Sequence, residues 1–550
     1  MNRRKSVILL GVIFLLVGSL LPYEVLSAMR GTVMTRQGMV SSAHPLASLV
    51  GVNVLQRGGN AMDAAIAMAA VLNVTDPAMT GIGGDMFLLY YSAKDGKVTA
   101  LNASGRAPAA ATVERIRAMG HEKIPPFHGL AVSVPGALDG WALALERYGT
   151  MKLADLLEPA IHYAETGYPV YKTLLVYYQN NGRSLTQYPD SVRTYLVNGR
   201  FPRSGEMLVQ KGLAASFRKL AAGGKDVFYR GELGEQVVRA VQGAGGLLTM
   251  KDLSDHRSDW VEPVSTTYRG YTVVEFPPNT QGVALLEQLN ILEGYDVKAL
   301  GANSAALIHL QVEAVKQSFA DRDRYVTDPQ RVAVPTKGLL SKAYAATLRA
   351  RIHPDRAAPA ATPGDPLPHN TTYFAVVDKE GNGVSFINSL RNPFGSGVTA
   401  GQTGILLQNR GQDFSLDPNH VNRIEPGKRT MHTLNPAMVL KDGKLYMVIG
   451  CAGAHQQTQA IQQVLVNHID FGMGIQDAIE ALRWGVVGRN LAVEARIPEP
   501  VRKALEAKGH KVVGAPPGAF GGCHAVVVDP VTGIRMGGAE SRRDSIALGH

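Results

Sequence analysis

The residues His369–Asp378, HNTTYFAVVD, join a stretch that is typical of a loop to one that is typical of a β-strand. The preceding residues 353–368, HPDRAAPAATPGDPLP, hold five prolines. Proline fixes φ and lacks an N–H, so this stretch cannot sustain a helix or a central strand, and we expect an exposed, adaptable connection. Thr371 and Thr372 then lead into an apolar run of β-branched and aromatic residues, which favours a strand. A flexible segment is therefore predicted immediately before a rigid one.

The junction between Asn370 and Thr371 has the features that an N-terminal threonine nucleophile needs. A threonine hydroxyl is a poor nucleophile unless a base lies beside it, and its own α-amine supplies that base once the preceding peptide bond is cut. A free α-amine has a pKa of about 7.7 to 8.0, so it accepts a proton near neutral pH. The residues alone leave a second interpretation open, in which both threonines are ordinary β-branched strand residues.

The rest of the chain is predicted to mix helices with antiparallel hairpins. Residues 44–74 have the pattern of two helices, and the second, which begins after Asn60, is apolar on nearly every side and should be buried. Residues 136–351 are mostly helical in pattern, whereas strands dominate the last third of the chain. Hairpin signals, each with two apolar runs around a turn containing Asp and Gly, occur at residues 372–387, 437–450 and 524–538.

Length and composition predict a large folded body that does not bind nucleic acid. A chain of 550 residues with 45% hydrophobic and 19% charged residues can bury more than one lobe or one thick layered core. The net charge of +10 is scattered, without a long Lys/Arg run or interleaved aromatic residues, which argues against nucleic-acid binding. A basic surface is compatible with anionic small substrates.

The first residues predict export. Asn2–Lys5 carries three positive charges and is followed by the apolar run Ser6–Leu21, the order of a secretory signal within residues 1–28. An uncleaved N-terminal anchor is the alternative, because the cleavage site is not a clean Ala-x-Ala. In both cases the body is expected in the periplasm or outside the cell, with membrane contact only if this segment is retained.

No cofactor or metal site is predicted from residue spacing. The cluster Gly81–Gly84 precedes a predicted strand, whereas a dinucleotide-binding glycine loop follows a strand and opens a helix. His121–Glu122 lacks the second histidine of a zinc-binding helix. Cys451 and Cys523 cannot form a disulfide framework; they either pair with each other or are two buried thiols, and the second interpretation is favoured.

From Met39 almost to the C-terminus, the chain resembles the γ-glutamyltransferases, which are N-terminal-nucleophile hydrolases made as a self-cleaving precursor. The resemblance implies an α+β fold, a four-layer αββα sandwich built from both fragments. It also implies a large subunit, residues 29–370, and a strand-rich small subunit, residues 371–550, that form a heterodimer. The stretches that carry it are MVSSAHPLASLVGVNVLQRGGNAMDAAIA, SVPGALDGWALALERYGT, YRGYTVVEFPP, NTTYFAVVDKEGNGVSF and GVTAGQTGILLQN.

The resemblance also implies the catalytic residues. Thr371 would cut the Asn370–Thr371 bond, become the new N-terminus and then attack a γ-glutamyl amide such as glutathione. The acyl-enzyme would be released by water or by an amino acid or peptide. Ser389 stands where the family has a second threonine that hydrogen-bonds the nucleophile. Gly453 and Ala454 align with the glycine pair whose N–H groups stabilise the oxyanion, with alanine replacing the second glycine.

The substrate-binding positions depart from the family pattern. Asp413 matches the acidic residue that receives the substrate's α-ammonium, but two arginines replace neutral Asn and Gln beside it. The family's paired serines are replaced by His and Thr, and an arginine expected to bind the α-carboxylate is displaced by two residues. A surface-loop charge is the alternative for this last residue, and an ordinary buried histidine is the alternative for the His. The residues concerned are Arg391, Arg410, His432, Thr433 and Arg106.

The sequence therefore predicts an exported, self-processing γ-glutamyltransferase/hydrolase without cofactor or metal. Its substrates would be γ-glutamyl small molecules or peptides, and its acceptors water, amino acids or peptides. Two alternatives stay open. The first is a divergent acylase that acts on other anionic acyl amides of the glutaryl type, suggested by Arg391 and Arg410, and the second is an inactive, uncleaved binding protein on the same fold.

Overall fold

The computed structural model describes residues 30–359 and 371–550. The predicted export signal and Asn370, the residue before the predicted cut, lie outside these ranges. None of the helices in the described ranges has the length and apolar character needed to cross a bilayer.

The core of the structure is a pair of seven-stranded sheets in which every neighbouring pair of strands is antiparallel. The first sheet contains the threonine strand, Thr372–Val377, and its partner strand, Gly383–Ser389. The order of the first sheet is Ile546–Gly549, Met39–Ser42, Thr372–Val377, Gly383–Ser389, Asp85–Ser92, Lys97–Ala103, Asp259–Val261. The order of the second sheet is Val33–Thr35, Arg535–Ala539, Gly522–Val528, Lys444–Ala452, Ala437–Lys441, Tyr271–Glu275, Val264–Tyr268.

Helices and two small sheets surround this pair. The small sheets consist of Trp484–Val487, Asn490–Glu494 and Val512–Ala515, and of Tyr168–Pro169 and Met207–Leu208. The α-helices of the described ranges are Pro45–Gln56, Ala61–Thr75, Val113–Ala118, Ala137–Tyr148, Leu153–Thr166, Lys172–Asn181, Pro189–Tyr195, Lys211–Gly223, Asp226–Tyr229, Glu232–Gly243, Met250–Ser254, Gly282–Leu292, Ala305–Tyr325, Thr336–Leu339, Lys342–Arg349, Gln456–Ile469, Ile475–Glu480 and Glu499–Ala507.

The threonine strand is buried on both faces, and this sets the order of the layers. Tyr373, Ala375 and Val377 pack between the two sheets. Phe374 and Val376 belong to the apolar cluster on the other face, which includes the surrounding helices. Because successive side chains of a strand point to opposite faces, a strand that is apolar throughout needs a cover on each side.

The outer layers are helical on both sides. Every residue of the helix Ala61–Thr75 is buried, and Asn60 and Asp63 form a capping box at its start. Helices Gly282–Leu292 and Gln456–Ile469 supply residues to the apolar cluster on the outer face of the second sheet. The four-layer αββα architecture expected from the sequence is confirmed, as are the buried second helix and the three hairpins.

The two segments on either side of the predicted cut share both sheets. Met39–Ser42 pairs with the threonine strand, and Val33–Thr35 pairs with Arg535–Ala539. Each sheet therefore contains strands from both segments, and the core forms only when both segments are present.

The two cysteines lie side by side on adjacent strands of the second sheet. Cys451 and Cys523 are register partners, and both are free and fully buried. Arg483, itself buried, directs Nη1 to the Sγ of Cys523 at 3.3 Å. The interpretation as two buried thiols is confirmed.

Substitution of Gly450 by alanine is expected to lower the free energy of unfolding by roughly 1–3 kcal/mol, the usual cost of overpacking a core. A Cβ added at Gly450 would lie 2.2 Å from Cε2 of the fully buried Tyr373 ring, where the two sheets meet. The matched control is Gly243→Ala, at the end of the helix Glu232–Gly243, where an added Cβ meets nothing within 4 Å. Chemical denaturation of both variants tests this, and equal stabilities would contradict it.

Candidate active site

Thr371 and Ser389 are brought together by the pairing of the threonine strand with its partner. The register places Thr372 opposite Asn388. Thr371, which precedes Thr372, therefore faces Ser389, which follows Asn388. The Thr371 hydroxyl donates to Oγ of Ser389 at 3.2 Å, and the backbone N–H of Arg391 donates to the same oxygen at 2.9 Å. Thr371 is 2% exposed and Ser389 is fully buried. The predicted pair is thus in contact, while its catalytic roles remain predictions.

The glycine cluster before the strand Asp85–Ser92 allows a close backbone approach to this pair. A Cβ on Gly84 would lie 2.3 Å from the carbonyl oxygen of Ser389, and one on Gly83 would lie 2.1 Å from that of Leu406. Side chains at either position would push the neighbouring backbone away. The glycines that could suggest a nucleotide loop therefore have a packing role beside Ser389.

Asp76 fixes the start of the threonine strand from the side of the helical layer. The hydroxyl of Thr372 donates to Oδ2 of Asp76 at 2.7 Å, and Asp76 directly follows the helix Ala61–Thr75. Burial raises the pKa of Asp76 to about 6, and the hydrogen bond from Thr372 opposes that rise. Sequence reasoning missed this residue, because nothing along the chain links it to Thr372.

Gly453 and Ala454 form a turn between the strand Lys444–Ala452 and the helix Gln456–Ile469. Their φ values are 125° and 47°, so Ala454 adopts a left-handed conformation that residues with a Cβ rarely take. Gln281 holds the turn by donating Nε2 to the carbonyl of Ala454 at 2.9 Å. Backbone N–H groups at the start of a helix suit a developing negative charge, but the oxyanion role stays a prediction.

Asp413 is engaged by two guanidinium groups. Arg391 binds it in a bidentate manner, with Nε 2.7 Å from Oδ2 and Nη2 2.6 Å from Oδ1. Arg410 adds Nη1 at 3.0 Å from Oδ2. Arg391 is 3% exposed and Arg410 is 1% exposed. Paired, charge-assisted hydrogen bonds of this type are among the strongest in proteins, so the Asp413 carboxylate has a well-defined cationic environment.

Asp85 is a second buried carboxylate of the site, and sequence reasoning missed it. Its Oδ1 accepts from the N–H of Gly105 at 2.7 Å and from Nε2 of Gln408 at 3.0 Å. Its Oδ2 lies 3.0 Å from Nε2 of His432 and 3.7 Å from Nε of Arg410. An aspartate at the start of a fully apolar strand is the signal that could have revealed it. Asp85 is also the register partner of Ser389.

The surroundings determine the protonation of His432 and Arg410. Burial lowers the pKa of His432 to about 4, and the charge of Arg410 adds to that effect. His432 is therefore neutral at pH 7, with Nε2–H donated to Asp85. Burial lowers the pKa of Arg410 to about 10, so this side chain stays cationic. Two guanidiniums thus accompany the two carboxylates.

Some hydrogen-bonding capacity in this cluster is unused within the described residues. Nε and Nη2 of Arg410 and Nδ1 of His432 are buried and have no hydrogen-bond partner there. Nη1 of Arg410 also reaches the Thr433 hydroxyl at 3.4 Å. Buried polar atoms are normally satisfied, so these atoms mark the cluster as one with spare donors and an acceptor.

Arg106 belongs to a different group of charges. Its Nη2 lies 3.3 Å from Asp259, its Nη1 lies 3.9 Å from Asp328, and its side chain is 25% exposed. The structure therefore gathers Arg391, Arg410, His432 and Thr433 around Asp413 and Asp85, but it places Arg106 in a separate ion-pair cluster. This is the arrangement expected for the alternative, a loop charge, and the carboxylate-binding role is untested.

Comparison with known proteins gives the family. The model described as gamma-glutamyltranspeptidase matches residues 47–550. The chain belongs to the γ-glutamyltranspeptidase family. The match extends across the segments before and after Thr371, so the family assignment covers both parts of the core. The four-layer body is accordingly the N-terminal-nucleophile hydrolase fold of this family.

Similar members of the family have different named activities. The glutathione hydrolase-like YwrD proenzyme of Bacillus subtilis (strain 168) is 42% identical over 95% of this chain and 100% of its own length. The Acylase ACY 1 proenzyme of Pseudomonas sp. (strain SE83) is 38% identical over 92% of each chain. The cephalosporin acylase structure from Bacillus halodurans has a TM-score of 0.90 at 41% identity, covering 96% of this chain and 98% of its own. The protein is thus a hydrolase of this family, and the differing names of its relatives do not decide its acyl donor.

Replacement of Asp85 by asparagine is expected to cost about 3 kcal/mol of unfolding free energy, the lower end for breaking a buried charge pair. An asparagine N–H₂ in place of Oδ2 would face the Nε2–H of His432 and the guanidinium of Arg410, so donors would oppose donors. The matched control is Asp417→Asn, which changes an exposed carboxylate shortly after Asp413 in the sequence. Thermal and denaturant unfolding measure the effect; an Asp85→Asn protein as stable as the control would contradict the assigned network.

Proposed function

We propose that this member of the family is a self-processing amidohydrolase with Thr371 as its nucleophile. The observation that supports the proposal is the hydrogen bond from the Thr371 hydroxyl to Ser389, formed at the residue immediately before the buried strand Thr372–Val377. Cleavage of the Asn370–Thr371 bond would free the α-amine that a threonine nucleophile needs as its base. Two of the similar proteins are named as proenzymes, which agrees with such a maturation step.

The proposed reaction proceeds through an acyl-threonine. The α-amine of Thr371 takes the hydroxyl proton while Oγ1 attacks the amide carbonyl, and the resulting oxyanion is stabilised by N–H groups of the Gly453–Ala454 turn. Collapse of the tetrahedral intermediate breaks the C–N bond, and the leaving amine receives the proton. Water, or the amine of an amino acid or peptide, then attacks the ester and regenerates Thr371. Before the attack Thr371 donates its hydroxyl proton to Oγ of Ser389. Once the proton has moved to the α-amine, the Ser389 hydroxyl donates to Oγ1 instead and keeps it oriented.

We further infer that the preferred acyl group ends in a carboxylate and lacks an α-ammonium, as in glutaryl amides. The bidentate contact of Arg391 and the added contact of Arg410 engage the oxygens of Asp413 that would otherwise receive an ammonium. An ammonium would have to displace a guanidinium from Asp413, whereas a carboxylate could be bound by guanidinium N–H groups without that exchange. Nη2 of Arg410, which has no hydrogen-bond partner among the described residues, is a donor suited to such a carboxylate.

A γ-glutamyl donor is the second candidate. Asp413 stands at the position that binds the α-ammonium in the resembling family, and one similar protein is named glutathione hydrolase-like. Binding of this donor would require Arg391 to leave Asp413, because the ammonium must take its place. The energetic cost of that exchange is the physical reason for ranking glutaryl-type donors first.

Substitution of Thr371 by alanine is expected to leave a single uncleaved chain and to lower amide hydrolysis by at least about 10³-fold, because no hydroxyl remains to attack either bond. Thr371→Ser keeps a hydroxyl and should still yield two fragments. A denaturing gel and N-terminal sequencing provide the measurement, with Thr-Thr-Tyr-Phe expected at the new terminus of the unsubstituted protein. Cleavage at this point in the alanine variant would exclude Thr371 as the nucleophile.

Replacement of Arg391 by asparagine is expected to raise the ratio of kcat/KM for γ-glutamyl over glutaryl anilides by about tenfold or more, because it frees Asp413 for an ammonium. Asparagine tolerates the φ of 81° found at this position, so the backbone should be retained. Arg423→Asn, which removes a partly exposed arginine paired with Glu425, is the matched control. An unchanged ratio would remove Arg391 from donor selection, and a wild-type preference for γ-glutamyl would reverse the ranking of donors.

A further inference from the structure

A second cluster of buried polar side chains lies outside the site built around Thr371. His309 and Glu313 are one turn apart on the helix Ala305–Tyr325, and His510 follows the helix Glu499–Ala507. One potential ligand atom from each of the three lies within 4.8 Å of the others. Nδ1 of His309 and Nε2 of His510 are 2.8 Å apart. The exposed fractions are 1% for His309, 1% for Glu313 and 6% for His510.

The outer contacts of His309 are those expected of a metal ligand. Nε2 of His309 lies 2.8 Å from the carbonyl oxygen of His353, and a carbonyl only accepts, so the ring proton is on Nε2. The lone pair of Nδ1 therefore faces Nε2 of His510. A backbone carbonyl that fixes the tautomer of a ligating imidazole in this way is a common feature of metal sites.

We propose that His309, Glu313 and His510 together bind a divalent transition-metal ion of the zinc type. Two imidazole nitrogens and one carboxylate oxygen form a donor set that suits Zn²⁺, with a further position left for water. Metal–nitrogen bonds of about 2.0–2.1 Å in tetrahedral geometry separate two nitrogens by about 3.3 Å. The two rings must therefore move apart by about half an ångström from the present 2.8 Å, and His510 must present its Nε2 lone pair.

Lys316 competes with the metal for Glu313. Its Nζ lies 2.7 Å from Oε1 of Glu313 and 2.7 Å from the carbonyl oxygen of Ala358. Oε2 of Glu313 accepts the N–H of Ala358 at 3.1 Å. An ammonium beside a ligand carboxylate repels an incoming cation and must shift when the ion binds. The affinity of the site should therefore be limited by Lys316 and should rise when its charge is removed.

The site joins the two segments that the proposed cleavage would separate. His309 and Glu313 precede Thr371, and His510 follows it. The contacts to His353 and Ala358 also hold the last described residues of the first segment against the helix Ala305–Tyr325. A bound ion would thus link the two fragments through coordination bonds and add to the stability of their complex.

Titration of the chelator-treated full chain with Zn²⁺, in competition with a chromophoric chelator, tests the proposal. We expect one equivalent per chain and a rise in Tm on Zn²⁺ addition. His510→Ala should weaken binding by more than about a hundredfold, since even the outer partners of metal ligands account for about 10–100-fold. The control, His162→Ala, removes an exposed histidine of the helix Leu153–Thr166 and should bind like the unsubstituted chain.

Two further measurements keep the proposal open to refutation if a histidine variant fails to fold. Co²⁺ added to the unsubstituted chain should give visible d–d absorption typical of nitrogen and oxygen ligands, and Zn²⁺ should abolish it. Lys316→Met should tighten Zn²⁺ binding by about tenfold or more, because it removes the competing ammonium. The proposal would be overturned if the unsubstituted chain bound less than one equivalent of Zn²⁺. It would also be overturned if folded His510→Ala bound Zn²⁺ as tightly as the unsubstituted chain. Unchanged affinity in Lys316→Met would overturn the competition by Lys316.

Discussion

The antiparallel pairing of Thr372–Val377 with Gly383–Ser389 is the constraint on which the other features of the site depend. The pairing faces Thr371 with Ser389, directs Tyr373 between the sheets and sends Phe374 toward the helices. A slip of one residue would exchange the two faces of the strand and separate the two hydroxyls. Because both faces are buried, the apolar core itself opposes such a slip. The position of the Thr371 hydroxyl therefore depends on the packing of all four layers.

Charge pairing is the second constraint, because a buried ion needs a partner. Asp413 and Asp85 are accompanied by Arg391 and Arg410, and His432 stays neutral beside them. The departures from the family pattern are thus connected: the two arginines form one network with the carboxylates. Such a network fixes where a charged part of a substrate can rest, and it makes any single replacement costly for its neighbours. The relatives include proteins named as acylases and as glutathione hydrolase-like, and the proposed function assigns the choice of acyl group to this network.

The sequence predicted features that arise from neighbouring residues, and it missed features made by distant ones. Local signals located the hairpins and the cap at Asn60, and the resemblance pointed to Thr371 and Ser389, which the register then placed in contact. Asp85 and Gln281 were missed, because their partners come from other layers and no periodicity records such contacts. Arg106 forms ion pairs with Asp259 and Asp328, contacts that the sequence did not predict, and its expected role in binding a carboxylate stays a prediction. The cluster of His309, Glu313 and His510 was missed for the same reason, since the two histidines are 201 residues apart.

The position of Met39–Ser42 determines when, during synthesis of the chain, the first sheet can be completed. This early strand lies between the threonine strand and Ile546–Gly549, so the first sheet gains its outermost strand only after residues 546–549 have been translated. While the ribosome still holds those residues, Met39–Ser42 has one unpaired edge and the apolar layer beneath it is open to water. The scissile junction would then lack its rigid frame. The proposed self-cleavage would accordingly follow the pairing of Met39–Ser42 with Ile546–Gly549.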